Sequence, residues 1–252
     1  MTAFKPCIVI PVYNHADAIG ITVQKVRLEL ADLPLILVND GSDQACSEVL
    51  KNIQQDVNNV HLLDLPNNLG KGGAVKAGLA CAQELEFTHA LQLDADGQHD
   101  TTDIPRFLQA AQQHLKKMIV GVPDFDESVP RLRYYARYLT HVWIWINTLS
   151  FQIRDSMCGF RVYPVDEANF LISHHRIGNR MDFDIEILVR WFWQGHQICQ
   201  LTTKVMYPID GISHFRGLQD NVLISLLHTK LFFMMLCRLP SILFRRWKGA
   251  SL

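Results

Sequence analysis

The chain has 252 residues, 48% of them apolar, and its formal net charge at pH 7 is −1. This length fits one large domain, or one domain with an appendage, and the apolar content allows a sizeable core. A near-neutral charge gives no support for nucleic-acid binding, which usually requires a strong basic excess. The six cysteines are scattered without a C-x-x-C pair, so we expect reduced thiols in a cytosolic protein and no zinc site. No secretion signal is predicted at the N-terminus.

The first half of the chain alternates short apolar runs with helical patterns. Strands are predicted over 7–12, 35–38, 60–63 and 89–93. Helices are predicted between them, over 19–30, around 49–53 and from Ala74 onward. Apolar strands separated by helices of this length predict an α/β fold with a mainly parallel sheet.

Each of these strands is followed by a polar loop. Asn14, Asp40, Asn68 and Asp94 come at or shortly after the predicted strand ends. Ligands of open α/β sheets bind outside the carboxyl ends of the strands. We therefore expect the four loops to converge on one rim of the sheet.

The second half is less regular. Strands are predicted over 118–122 and 198–206, an aromatic-rich helix over 131–151 and a further helix over 183–193. The domain is expected to cover residues 1–216.

Residues 217–252 are predicted to form a C-terminal apolar helical segment. The apolar run 222–244 is long enough to span a membrane, which takes roughly 20 residues, but charged residues and Pro240 interrupt it. Polar residues at three- or four-residue steps predict a narrow polar ridge formed by Asn221, Ser225, His228, Arg238, Ser241, Arg245 and Lys248. We favour a helix in the membrane interface, with packing on the core, docking on a partner, or a true span as alternatives.

Asp94 and Asp96 flank one residue at the end of a predicted buried strand. Two such carboxylates repel each other, and a hard divalent cation such as Mg²⁺ or Mn²⁺ removes that conflict. Gln98 can add a neutral oxygen ligand. The competing interpretation is that Asp and Gly simply end the strand.

Two further loops suit a nucleotide. A carboxylate at Asp40 can accept hydrogen bonds from a nucleobase, although a plain turn is as good an explanation. The loop 67–73 is glycine-rich, contains Lys71 and precedes a helix, which suits phosphates or a base edge. It is neither a Walker A loop nor a G-x-G-x-x-G fingerprint, so kinases, NTPases and dehydrogenases are not indicated.

These motifs, in this order, resemble family 2 inverting glycosyltransferases of the GT-A fold. The segments that carry the resemblance are 10–14, 38–42, 68–72 and 94–99, and 155–161 and 183–188 resemble the branch of dolichyl-phosphate mannose synthase and polyprenyl-phosphate glycosyltransferases. The resemblance covers roughly residues 5–216. It implies a Rossmann-like, three-layer αβα domain with a mainly parallel mixed sheet.

The resemblance also implies roles for particular residues. The expected nucleotide-binding residues are Pro11, Tyr13, Asn14, Asp40, Lys71 and Asp94. The metal would be held by Asp94, Asp96 and Gln98. The segment 207–216 resembles a C-terminal loop that covers the donor diphosphate, with His214 or Arg216 reaching the phosphates.

The sequence leaves two kinds of acceptor group possible, a phosphate and a hydroxyl. A lipid phosphate is largely ionised at neutral pH and needs cations rather than a base, for which Arg131, Arg133 and Arg137 are candidates. A hydroxyl acceptor needs a general base, and Asp184 is the first candidate. Asp155 is the second, unless it anchors the turn that follows it.

The favoured hypothesis is an enzyme that moves a sugar from a nucleotide-sugar to a lipid-linked, polyprenyl-phosphate-type acceptor. It would be cytoplasmic and peripheral on the inner face of the membrane. Transfer to a saccharide or glycolipid hydroxyl is the alternative enzyme, and a membrane-associated nucleotide-sugar-binding module is the non-enzyme alternative. The sequence does not identify the base, the sugar or the acceptor.

Overall fold

The computed structural model describes residues 3–124, 131–205 and 217–247, with side chains omitted at 131–136, 217–218 and 245–247. Within these residues the strands are β1 Pro6–Val12, β2 Leu35–Asn39, β3 Val60–Asp64, β4 His89–Gln92, β5 Met118–Asp124, β6 Arg161–Pro164 and β7 Ile198–Lys204. The helices are α1 Ala16–Glu29, α2 Gln44–Asp56, α3 Lys71–Glu84, α4 Ile104–Gln113, α5 Arg131–Thr148, α6 Val165–His174, α7 Phe183–Trp193 and α8 Gly217–Trp247.

The described strands form one sheet in the order β3-β2-β1-β4-β6-β5-β7. The pairs β1–β2, β1–β4, β2–β3 and β5–β7 are parallel. Strand β6 runs antiparallel to both β4 and β5. The sheet is therefore mixed and mainly parallel, as the sequence predicts.

Helices cover both faces of this sheet. In β1, Cys7 and Val9 join the core beneath α3, α5, α6, α7 and α8. The alternate residues Ile8 and Ile10 join the core beneath α1, α2 and α4. Successive side chains of a strand point to opposite faces, so this alternation produces the predicted three-layer αβα architecture.

The elements β6, α4 and α6 are not among those predicted from the sequence. Strand β6 has four residues, including a charged arginine and a proline, so its sequence lacks the apolar run of the other strands. Helix α3 begins at Lys71 rather than at Ala74. Its first turn, Lys71-Gly72-Gly73, is glycine-rich, and Gly is a weak helix former.

Helix α8 packs one face on the domain. Leu227, Leu231 and Met235 are buried and belong to the same core as α5 and α7. His228, which the sequence pattern assigns to the polar ridge, is also buried. It stacks on Trp143 of α5 with ring centroids 5.9 Å apart, so that assignment is wrong. The domain division at residue 216 stays a prediction, since α8 shares the core of the preceding elements.

Candidate functional site

The loops that follow β1 and β2 are tied together by hydrogen bonds. The Asn14 amide donates to Ser42 Oγ at 3.1 Å, and Asn14 Oδ1 accepts from the Asp43 amide at 2.8 Å. Asn14 adopts a left-handed backbone conformation, which asparagine tolerates better than most residues. Pro11 lies near the end of β1 and Tyr13 directly after it, both half-buried.

Asp40 joins the end of β2 to the glycine-rich loop. Its carboxylate accepts the amides of Leu69 at 2.7 Å and Gly70 at 2.9 Å. Burial raises the pKa of Asp40, while these two hydrogen bonds act in the opposite direction. A Cβ at Gly41 would lie 2.6 Å from the Asn68 amide nitrogen, so this close approach requires glycine. The contacts fix the loop at the rim.

Lys71, the first residue of α3, bridges two carboxylates from different elements. Its Nζ lies 2.9 Å from Asp94 Oδ2 and 3.2 Å from Asp184 Oδ2. Burial by itself lowers the pKa of Lys71, but the two carboxylates outweigh it and raise the pKa above its ordinary value. The three side chains thus form one charged cluster beyond the end of β4, in which Asp184 is buried and Lys71 and Asp94 are partly buried.

The Asp94–Gln98 segment contains a carboxylate oxygen that lacks a hydrogen-bond partner. Asp94 Oδ1 is buried without a hydrogen-bond partner. Burial, and next the neighbouring Asp94, raise the pKa of Asp96. Asp96 Oδ1 accepts the backbone amide of Gln98 at 3.0 Å, so the contact found for Gln98 is made by its main chain. His99 Nε2 lies 3.5 Å from Asp94 Oδ2.

These residues can supply some, but not all, of the ligands that a hard divalent ion needs. Among the described residues, no group of three His, Cys, Asp or Glu side chains is placed to hold a metal. The unpartnered oxygen of Asp94 and the disfavoured charge of Asp96 nevertheless suit Mg²⁺ or Mn²⁺. Such ions usually take their remaining ligands from water and substrate phosphates.

Asp184, in the first turn of α7, points into the same cluster. Gln92 Nε2 donates to its Oδ1 at 3.3 Å, and Arg161 Nη1 donates to its main-chain oxygen at 2.7 Å. Tyr163 in turn donates its hydroxyl to Gln92 Oε1 at 2.9 Å. Glu186, two residues further along α7, makes its contacts elsewhere, as expected because residues i and i+2 do not share a helix face.

Asp155 is saturated by donors. Arg137 donates to it twice, at 2.6 and 2.7 Å, and His141 Nε2 lies 3.1 Å away. The amides of Met157 and Cys158 also donate to it, at 2.9 and 2.8 Å. Although burial alone would raise its pKa, Arg137 and His141 hold the pKa of Asp155 well below its usual range. These contacts match the anchor role rather than the general-base role.

The predicted cationic residues are only partly described. Arg137 is committed to Asp155, which counts against its being a simple phosphate clamp. Helix α5 begins at Arg131, but the side chains of Arg131 and Arg133 lie outside the described residues, as do His214 and Arg216.

Sequence reasoning missed three residues of the site. Gln92 and Arg161 orient Asp184 across the β4–β6 pair. Gly159 makes room for the Lys71–Asp94 ion pair, because a Cβ there would lie 2.7 Å from Lys71 Nζ and from Asp94 Oδ2. A polar side chain inside a predicted strand was the available signal for Gln92, whereas Arg161 lies in a strand that was not predicted.

Comparison with known proteins agrees with this fold. The family model described as Glycosyl transferase family 2 matches residues 7–183, so the chain belongs to that family. A solved structure of glucosyl-3-phosphoglycerate synthase from Mycobacterium tuberculosis, with Mn²⁺, UDP and phosphoglyceric acid, superposes with a TM-score of 0.68. It covers 92% of this chain and 78% of that chain at 13% identity, which shows the expected GT-A fold and no more.

Two relatives illustrate the sequence similarity. A dolichyl-phosphate beta-glucosyltransferase of Dictyostelium discoideum is 29% identical over 203 residues, 72% of this chain and 60% of that protein. An undecaprenyl-phosphate mannosyltransferase of Micrococcus luteus is 27% identical over 217 residues, 83% of this chain and 86% of that protein. The chain spans between 49% and 60% of the length of three dolichyl-phosphate beta-glucosyltransferases that it matches.

Proposed function

We propose that this protein transfers a glycosyl group, with inversion, from a nucleotide-sugar to a lipid-linked acceptor of the polyprenyl-phosphate type. The observation that carries the proposal is the Lys71–Asp94–Asp184 cluster, in which the start of α3, the loop after β4 and the first turn of α7 meet. Family membership and relatives named for dolichyl- and undecaprenyl-phosphate acceptors support the same reaction class.

The donor would lie along this rim. Pro11, Tyr13, Asn14 and Asp40 would hold the nucleoside, and Lys71 would face the diphosphate from the start of α3. A lysine at the start of a helix favours an anion. The amides of Leu69 and Gly70 are already bonded to Asp40, so that carboxylate also sets the loop conformation.

Asp94 and Asp96, with Gln98, would hold Mg²⁺ or Mn²⁺. A bound divalent ion stabilises the negative charge that develops on the departing nucleoside diphosphate. Lys71 adds a fixed positive charge to the same place. Its ion pairs with Asp94 and Asp184 keep the ammonium oriented without reorganisation during the reaction.

The acceptor phosphate would approach from the α5 side. It is already a nucleophile at neutral pH, so the protein must position it rather than deprotonate it. Arg131, Arg133 and Arg137 on α5 are the proposed cations for the acceptor, and Arg137 would serve it while still paired with Asp155. His214 or Arg216 would instead reach the donor diphosphate. Attack opposite the leaving diphosphate inverts the anomeric centre in one displacement.

A hydroxyl acceptor remains a second candidate because of Asp184. This carboxylate is buried beside Lys71 and is oriented by Gln92, as a general base must be. An Asp184→Asn variant separates the two reactions. It should abolish transfer to a hydroxyl while sparing donor binding, and it should be milder for a phosphate acceptor.

We further propose that the protein is cytoplasmic and peripheral on the inner face of the membrane. Within the described residues, 219–244 form a stretch long and apolar enough to cross a membrane, and most of it is not buried in the domain. Large apolar side chains remain exposed on α8: Val222, Leu226, Phe233, Leu236, Leu243 and Phe244. Because the opposite side of α8 packs on the core, an orientation along the membrane surface fits better than a span.

The test of the reaction is transfer to undecaprenyl phosphate or dolichyl phosphate from a panel of nucleotide-sugars with Mn²⁺. A lipid-linked sugar product from at least one donor is expected, and the anomeric configuration should be opposite to that of the donor. Tight donor binding without turnover on phosphate or hydroxyl acceptors would instead favour the binding-module alternative.

The metal role is tested by Asp96→Asn. This change should remove the rise in Tm that Mn²⁺ causes and lower transfer by at least about a hundredfold, since losing outer-shell metal partners alone costs 10–100-fold. Without metal, Tm should stay level or rise, because one of two neighbouring carboxylates is neutralised. The matched control is Asp56→Asn, an exposed acid at the end of α2. Full activity of Asp96→Asn, or of the wild type in EDTA, would contradict the metal role.

A further inference from the structure

Glu186 of α7 is a fully buried carboxylate shared by three elements. Its Oε1 accepts Arg190 Nε at 2.9 Å and Lys230 Nζ at 2.8 Å. Its Oε2 accepts the backbone amide of Gly178 at 3.0 Å. Burial tends to raise the pKa of Glu186, but the hydrogen bonds from Lys230 and Arg190 hold it below its ordinary value. The side chain is therefore an ionised junction between α7, α8 and the loop 176–182.

Lys230 is the part of this junction that α8 supplies. Its side chain is 46% exposed, whereas that of Glu186 is 0% exposed. Its Nζ also lies 3.4 Å from the main-chain oxygen of Arg176, at the start of the same loop. Lys230 thus touches both the carboxylate that holds the loop and the loop itself.

The middle of the loop contacts the glycine-rich segment Gly70–Gly73. The main-chain oxygen of Asn179 accepts the Gly73 amide at 2.9 Å. A Cβ at Gly70 would lie 2.8 Å from that same oxygen, so the two segments are in direct contact. On the α3 side, Lys76 Nζ donates to Ile177 O and to Asn179 Oδ1, each at 2.6 Å. The loop is clamped between α3 on one side and the Glu186 junction on the other.

We infer that Lys230 and Glu186 are positioning residues through which α8 holds the loop 176–182, and with it Gly70–Gly73, in the donor-binding arrangement. The inference rests on the proposed function, because it assigns the glycine-rich loop to the nucleotide-sugar. It makes α8 a support of the donor site as well as a surface element. Neither residue needs to touch the substrate.

The informative variant is Lys230→Met. Arg190 stays paired with Glu186 in this variant, so no buried charge is left alone and the fold should persist. Glu186→Gln is less useful, since it would leave Arg190 without its carboxylate. Lys230→Arg should restore the contact, because arginine can reach the same acceptor.

Arg238→Met serves as the matched control. Arg238 is also a cation of α8 that contacts α7, and its guanidinium carbon lies 5.3 Å from the Trp193 ring centroid. This contact lies at the end of α7 and involves neither Glu186 nor the residues of the loop 176–182. Removing it tests whether any loosening of α8 is enough to disturb the donor site.

Two measurements decide the inference. Amide hydrogen exchange without ligand should become faster in peptides covering 176–184 and 70–75 for Lys230→Met, and stay at the wild-type rate for Lys230→Arg and Arg238→Met. Calorimetry with UDP and GDP in Mn²⁺ should show about two- to fivefold weaker binding of the accepted nucleotide by Lys230→Met, the range of a partly exposed ion pair.

The outcomes test the positioning role of Lys230 and the proposed function separately. Unchanged exchange in 70–75 for Lys230→Met, or an equal change for Arg238→Met, would overturn the positioning role. Failure of both nucleotides to bind the wild type would count against the proposed function, while the exchange result would still decide whether α8 supports the loop.

Discussion

Gly159 shows how tightly the charged cluster is packed at the scale of single residues. A Cβ at this position would lie 2.7 Å from both Lys71 Nζ and Asp94 Oδ2, and 2.9 Å from Asp94 Oδ1. The charged ends of the ion pair therefore occupy the space that any other residue would need. Glycine is required here for room, since its backbone φ is not in the left-handed region.

We predict that Gly159→Ala reduces sugar transfer at least tenfold. The methyl group must displace the Lys71–Asp94 pair, and small misplacements of catalytic groups have large effects on rate. Overpacking should also lower the free energy of unfolding by about 1–3 kcal/mol. Steady-state transfer assays and urea unfolding measure the two effects.

The control for this change is Gly20→Ala. Gly20 lies within α1, and a Cβ there meets nothing within 4 Å. Alanine should raise the free energy of unfolding by about 0.5–1 kcal/mol, because glycine is a poor helix former, and leave transfer unchanged. Full transfer by Gly159→Ala would show that the ion pair does not need its present position.

The sequence indicates some of these residues and not others. Lys71, Asp94 and Asp184 are predicted because each follows a recognisable motif or strand end. Gln92 and Gly159 gain their roles only when the chain folds back so that β4 pairs with β6, whose partner residues are 69 to 75 positions apart in the sequence. No local pattern carries that information, since the contacts depend on the tertiary arrangement.

At the scale of elements, the packing of α8 on α5 buries a histidine. His228 lies against Trp143, and its Nδ1 is 3.4 Å from Asn147 Nδ2. Burial lowers the pKa of His228 to about 4. The side chain is therefore neutral in the folded protein at neutral pH and acts as part of the interface between the two helices.

This shift makes the α5–α8 packing sensitive to acid. A histidine whose pKa is lowered by folding takes up its proton in the unfolded chain first, so stability falls as pH drops from about 6.5 towards 4. We predict that the free energy of unfolding falls between pH 7 and pH 5 by about 1–2 kcal/mol more in the wild type than in His228→Leu. Urea unfolding at the two pH values measures the difference.

Titration of Asp155 does not affect the comparison of wild type and His228→Leu between pH 7 and pH 5. Its pKa is lowered by folding, so the stability it contributes is present above the ordinary aspartate range and is lost only as pH falls below about 4. An equal pH response of wild type and His228→Leu would show that the histidine is not kept neutral by its burial.

The elements themselves differ in how far the sequence predicts them. Strands β1 and β2 are largely apolar runs, and α7 is found with the predicted bounds, because their patterns are strong. Strand β6 escapes prediction because fully buried Arg161 is made acceptable only by tertiary contacts with main-chain oxygens of Ser156, Cys158 and Asp184. A buried charge that is satisfied in this way looks like a surface residue in the sequence.

At the scale of the whole molecule, α8 separates a packed side from an exposed side. Ile224, Leu231 and Met235 face the core, while Leu226 and Phe233 are 63% and 62% exposed. The exposed apolar residues recur at spacings of three, four and seven, which places them along one helix face. Lys230 lies between the two sides and connects the helix to Glu186. One helix therefore presents an apolar surface outward and, through Lys230, contacts Glu186 and the main chain of Arg176 inward.

We predict that the double variant Leu226→Ser/Phe233→Ser weakens binding to phosphatidylglycerol-containing vesicles at least tenfold. Each side chain loses part of the roughly 1.5–3 kcal/mol that its full burial in an apolar phase would contribute, and about 1.4 kcal/mol already corresponds to a factor of ten. Vesicle co-sedimentation measures the effect. Tm should change little, because neither side chain is part of the core.

The control removes the same residue types from other surfaces. Leu28 on α1 and Phe170 on α6 are 84% and 59% exposed, so Leu28→Ser/Phe170→Ser deletes comparable apolar area elsewhere. This control should bind vesicles as the wild type does. Equal loss in both double variants would indicate nonspecific adhesion, and no loss in the α8 variant would exclude its outer face as the membrane contact. Transfer to a detergent-solubilised lipid phosphate should survive the α8 variant, because its catalytic cluster is untouched.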